Sequence, residues 1–95
     1  MEEKTFVVVV YDIKDDRTRT RVCNTLKNYG SRIQLSVFEC HLGRKEYEKM
    51  KEEVKRLLDL EEDLVRFYRL CKDCFSRGEL LGEGSFTEEL DIYLI

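Results

Sequence analysis

Ninety-five residues, 42% hydrophobic and 39% charged, with no proline and a net charge of −3, describe one small folded domain rather than a disordered or collagen-like chain. The longest apolar run, Phe6–Tyr11, is six residues, where a membrane-spanning helix needs about 20. The start, Met1–Thr5, has no basic segment leading into an apolar one, so the expectation is a cytoplasmic protein with no secretory signal and no membrane partner.

The first element reads as a strand over Thr5–Asp12, β-branched and aromatic almost without break. Phe6, Val8, Val10 and Asp12 share one face; Val7, Val9 and Tyr11 share the other. Both faces are apolar, so both need covering. Asp15 and Asp16 follow as an N-cap and first-turn charge. Val22, Cys23, Leu26 and Tyr29 recur at helical spacing, and Gly30 is placed to end that helix, predicted over about 15–29. Residues 14–32 hold six basic and two acidic side chains in an otherwise acidic chain, a concentration of positive charge that suits a phosphate-bearing partner or simply a solvated helix face.

Residues 32–42 read as extended. Ile33, Leu35 and Val37 alternate on one face, and the pattern then shifts phase to Phe38, Cys40 and Leu42, which predicts a bulge or a break between two short strands. Gly43 begins a second helix with an apolar stripe of Tyr47, Met50, Val54, Leu57 and Leu58. Residues 63–71 form another strand. Residues 72–90 read as a loop, with a short strand near Glu79–Leu81, and residues 90–95 as an apolar final strand.

The order β-α-β-β-α-β is that of a ferredoxin-like α+β sandwich. Two helices cover one sheet face and leave none for the other. A chain this short is also marginal alone, so a homodimer is expected, with a second copy covering the open face. The expectation is a single domain over residues 1–95, its core in 4–72, with residues 73–95 at the dimer interface.

Asp12 is the sharpest candidate for chemistry, a carboxylate delivered at a strand's end before a helix; helix capping is the structural alternative. Across a two-fold axis one aspartate becomes two, and paired carboxylates with waters and a substrate phosphate make a normal Mg²⁺ site. Arg17 and Arg21 share a helix face, Arg19 projects elsewhere, and Arg32 lies past the helix; all four suit phosphate contact or surface ion pairing. His41, the single histidine, could serve as a general base or a ligand and reads more simply as a surface or strand-face residue. Cys71 and Cys74 form a C-x-x-C, half of a zinc site that Cys40 and His41 or a second copy would complete, or a redox pair, disfavoured because the motif follows a strand. Cys23, Cys40 and Cys71 read as core residues. From the residues alone, a metal-dependent nuclease, a nucleic-acid-binding scaffold and a regulatory small-ligand domain all remain open.

The ordered set Val7–Ile13, Asp15-Asp16, Arg19, Arg21-Val22, Leu26, Tyr29-Gly30, Arg32-Ile33-Gln34 and Ser36-Val37-Phe38-Glu39 resembles the small CRISPR-associated endonuclease family, partner of the CRISPR integrase in spacer acquisition. The resemblance implies a ferredoxin-like homodimer with a swapped C-terminal strand and Mg²⁺- or Mn²⁺-dependent cleavage of RNA or double-stranded DNA. Asp12 matches the family's catalytic, metal-holding aspartate, shared by both protomers. Arg19, Arg21 and Arg32 match basic positions linked to activity, and Tyr11, Ser36 and Phe38 match supporting positions. Some members of the family serve as a non-catalytic scaffold between integrase dimers, and Arg17, Arg19 and Arg21 would then hold DNA without cutting it. The Cys71–Cys74 pair belongs to no motif of the family.

Overall fold

Four strands and three helices alternate as β1 (Thr5–Asp12), α1 (Asp16–Leu26), β2 (Gly30–Gln34), β3 (Val37–Leu42), α2 (Arg44–Leu57), β4 (Leu64–Leu70) and α3 (Lys72–Ser76) in a computed structural model that describes residues 3–79 and residue 81. The strands form one antiparallel sheet in the order β2-β3-β1-β4. With α1 and α2 on one face, this is the ferredoxin-like sandwich that the element order predicts. No described helix is long and apolar enough to cross a membrane.

The alternation of β1 divides its side chains as the sequence requires. Val7, Val9 and Tyr11 enter the core with Phe38, Cys40 and Leu42 of β3, Val22, Cys23 and Leu26 of α1, and Met50 and Val54 of α2. Phe6, Val8, Val10 and Asp12 point to the face that α1 and α2 do not cover. The α2 stripe is in register with this core: Met50 and Val54 are buried, and Tyr47, Leu57 and Leu58 pack at its edge. Gly43 starts α2, its amide donating to Glu46 Oε1 at 3.1 Å.

Several expectations need correction. Helix α1 stops at Leu26, capped by Lys27, and Gly30 does not end it; Gly30 opens β2. A Cβ there would collide with the Glu39 carbonyl oxygen and the Cys40 sulfur, so the glycine serves the close approach of β2 to β3. The phase shift in residues 32–42 is both a tight turn between β2 and β3 and a register slip between Arg32 and Gln34. Ile33 and Leu35 alternate as core residues would, yet they are 42% and 77% exposed, because β2 is an edge strand and Leu35 lies in the turn that follows it.

The segment after β4 is not simply a loop. Residues 72–76 form α3, and its buried Phe75 stacks on Phe6 at 4.7 Å, with Leu70 packed alongside. Part of the second sheet face is thus covered from within the chain. Glu79 and Leu81 lie in no strand. The predicted final strand at 90–95 lies outside the described residues.

Candidate active site

The end of β1, the start of α1 and the turn joining β2 to β3 meet around a cleft of about 570 Å³. Its lining includes Tyr11, Asp12, Arg19, Arg32 and Ser36, five of the eight residues singled out by sequence. The floor is fixed by Tyr11. Its buried ring lies against Phe38, its hydroxyl donates to the Leu35 carbonyl oxygen at 3.0 Å, and its amide donates to the Ser36 carbonyl oxygen at 3.1 Å. Burial first, and then the Cys23 thiol, push the Tyr11 phenol above its usual range, against the opposing pull of Arg32 and Arg19. Tyr11 is therefore a neutral donor at neutral pH.

Asp12 is exposed at the cleft mouth, and no hydrogen bond or ion pair engages its carboxylate among the described residues. The neighbouring carboxylates are occupied. Asp15 caps α1, accepting from the Thr18 amide and hydroxyl, both at 2.8 Å. Those two donors, with Arg17 and Arg19 nearby, hold the Asp15 carboxyl below its usual range. Asp16 pairs with Arg19. The capping alternative considered for Asp12 thus falls to Asp15 instead.

Arg19 also donates to the Ile13 carbonyl oxygen at 3.0 Å, which ties the β1–α1 connection to the helix and turns the guanidinium toward the cleft. Arg32 faces it from β2, with Nη1 3.6 Å from the Cys23 sulfur. Two delocalised cations flanking one free carboxylate make a site for a phosphodiester.

The remaining predicted residues fall elsewhere. Arg17 and Arg21 are exposed on α1 outside the cleft lining, and Phe38 is fully buried in the core. The lining also holds Thr20, Asn24 and Lys27, which sequence reasoning missed. Their spacing of four and three residues marks one helix face and was the available signal.

Mg²⁺ takes oxygen donors and is commonly held by one or two carboxylates together with water and substrate phosphate. The free carboxylate of Asp12, in a cleft also lined by two guanidinium groups, fits that donor set. Among the described residues no three His, Cys, Asp or Glu side chains gather as a metal cage. The zinc arrangement joining Cys71 and Cys74 to Cys40 and His41 is therefore not assembled within one chain. Cys40 is buried, His41 stacks on Phe6 at 4.4 Å, and Cys71 and Cys74 are exposed, so Cys71 is not the core residue expected.

A family model described as CRISPR associated protein Cas2 matches residues 5–77. The CRISPR-associated endonuclease Cas2 2 of Thermus thermophilus is 39% identical over 92 residues, covering 97% of this chain and 98% of its own length. The CRISPR-associated endoribonuclease Cas2 1 of Chloroflexus aurantiacus is also 39% identical over 92 residues, covering 95% and 99%. Among solved structures, a hypothetical protein TT1823 from Thermus thermophilus superposes with a TM-score of 0.79 at 42% identity, over 90% of this chain and 99% of that one. A chain of a partial Cas6-RT-Cas1–Cas2 complex superposes with a TM-score of 0.71 at 25% identity, over 81% and 84%.

Proposed function

This chain belongs to the CRISPR-associated Cas2 family, and on that premise we propose that it is a metal-dependent phosphodiester endonuclease, working as a homodimer in CRISPR adaptation. The observation that carries this reading is the unengaged Asp12 carboxylate at a cleft flanked by Arg19 and Arg32. Its relatives are named as an endonuclease and an endoribonuclease, which supports phosphodiester cleavage and leaves RNA and double-stranded DNA both as substrates to test.

Asp12 shares the face that α1 and α2 leave open with Val8 and Val10, and beside them on β4 lie the exposed Leu64 and Tyr68. Two copies packed through that face bring two Asp12 carboxylates toward one another. The pair would hold Mg²⁺ or Mn²⁺, which supplies activation of water and neutralisation of phosphoryl charge when bound. Arg19 and Arg32 bind the non-bridging phosphate oxygens and set the backbone's direction across the cleft. Tyr11 holds the Leu35–Ser36 turn so that Arg32 keeps its distance from Asp12. The partner in a larger assembly is the CRISPR integrase, a reading supported by the Cas1–Cas2 complex above. A cytoplasmic location follows from that role.

A second reading, a non-catalytic DNA-binding scaffold bridging integrase dimers, draws on the same complex and on a cleft lining that holds one carboxylate, Asp12, from each chain. One experiment separates the two. Single-stranded RNA and duplex DNA are incubated with Mg²⁺ or Mn²⁺ and either wild type or Asp12→Asn. Cleavage by wild type alone establishes the nuclease and its substrate. Equal cleavage by both rejects Asp12. Duplex binding by both without cleavage by either favours the scaffold.

A further inference from the structure

Both cysteines of the C-x-x-C lie exposed at the start of α3, whereas Cys23 and Cys40 are buried. Contrary to the sequence expectation, the motif does open a helix, with Cys71 as its cap. The Cys74 amide donates to the Cys71 sulfur at 3.2 Å. The turn is anchored from the opposite side, where Phe75 stacks on Phe6. Two accessible sulfurs are thus held on a single anchored turn, and the nuclease site uses neither.

We propose that Cys71 and Cys74 form a thiol–disulfide exchange site whose co-substrate is a low-molecular-weight disulfide. Cys71 is the attacking sulfur, because it caps the helix and accepts the Cys74 amide. The Cys74 thiol and amide together lower the Cys71 thiol from its ordinary value, and Cys71 raises that of Cys74. The Cys71 thiolate attacks one sulfur of the small disulfide; that sulfur–sulfur bond breaks, and one small thiolate leaves and takes up a proton. Cys74 then loses its proton and attacks the Cys71 sulfur of the mixed disulfide, expelling the second small thiolate. Two protein thiols are oxidised to one disulfide, and one small disulfide is reduced to two thiols. In a reducing compartment the pair rests as the dithiol.

The test uses the full reduced chain with oxidised glutathione, followed by alkylation, intact mass and peptide mapping. Wild type should lose two alkylatable thiols, both mapped to Cys71 and Cys74, and regain them with dithiothreitol. Cys74→Ser, which keeps the attacking sulfur, should accumulate a glutathione adduct several-fold faster than Cys71→Ser. Stable glutathione adducts on wild type without an internal disulfide would overturn the proposal. So would a disulfide that includes Cys23 or Cys40, or equal adduct rates in the two variants when circular dichroism shows both folded. The wild-type mapping decides the matter if a variant does not fold.

Discussion

The Tyr11 hydroxyl spans 24 positions of sequence to donate a 3.0 Å hydrogen bond to the Leu35 carbonyl oxygen. The bond joins the end of the central strand to the turn of the edge hairpin, so it positions the cleft from below. Tyr11→Phe keeps the ring against Phe38 and deletes only the donor. It should cost about 1 kcal/mol, read as a lower urea midpoint at an unchanged m-value, and cleavage should fall more than stability does.

The arginines should separate by position. Arg19→Ala and Arg32→Ala each remove a cleft cation, and each should weaken oligonucleotide binding and reduce the log–log salt slope by about 1. Arg17→Ala and Arg21→Ala, outside the cleft lining, should change affinity less. Fluorescence anisotropy over a salt series reads both quantities.

Tyr68 is 48% exposed and lies opposite Val8 on the sheet face that α1 and α2 leave open. Tyr68→Glu places a charge on the surface through which two copies are proposed to meet. Sedimentation velocity should show a shift to monomer with the circular dichroism spectrum unchanged, and cleavage should be lost although Asp12 is intact.

Gly30→Ala drives a methyl group into the Glu39 carbonyl oxygen on the neighbouring strand. The backbone of β3 cannot yield without loosening its pairing to β1. Destabilisation of about 1–3 kcal/mol is expected in chemical denaturation.

Two groups set opposite limits on pH stability. The folded state lowers the Asp15 carboxyl, so that group's contribution is complete above the ordinary carboxylate range and disappears as pH falls through the lowered value. Tyr29 is pushed up to about 12 by burial and by its hydrogen bond to Glu53, from an ordinary 10.0. Its contribution is complete below the ordinary value and disappears as pH rises through about 12. Melting temperatures across pH should flatten on the acid limb in Asp15→Asn and on the alkaline limb in Tyr29→Phe.

The parts legible in sequence are those with a strong period. The double-sided apolar run of β1 and the Tyr47–Leu58 stripe of α2 name their elements because burial dictates their spacing. Ile33 and Leu35 misled because the same alternation arises on an edge strand and the turn that follows it. Helix α3 was hidden because one buried side chain, Phe75, makes no period. Asp12 was legible from its place at a strand's end. Helical spacing set Arg19 apart from Arg17 and Arg21, but which of the two faces meets the cleft depends on how the β1–α1 connection enters the helix, and the Arg19 contact with Ile13 settles that only in three dimensions.

The cleft is built from strands of unequal standing. β1 pairs on both sides, with β3 and β4, whereas β2 pairs only with β3, through a ladder that slips at Arg32. Amides along the middle of β1 should therefore exchange with solvent more slowly than those around Arg32, which local fraying of β2 would expose, a difference that native-state hydrogen exchange reads. Asp12 and Arg19 both stand on elements joined to the core, whereas Arg32 stands on the strand with one partner. Its wall of the cleft is therefore the side expected to yield when a bulky strand of nucleic acid is admitted.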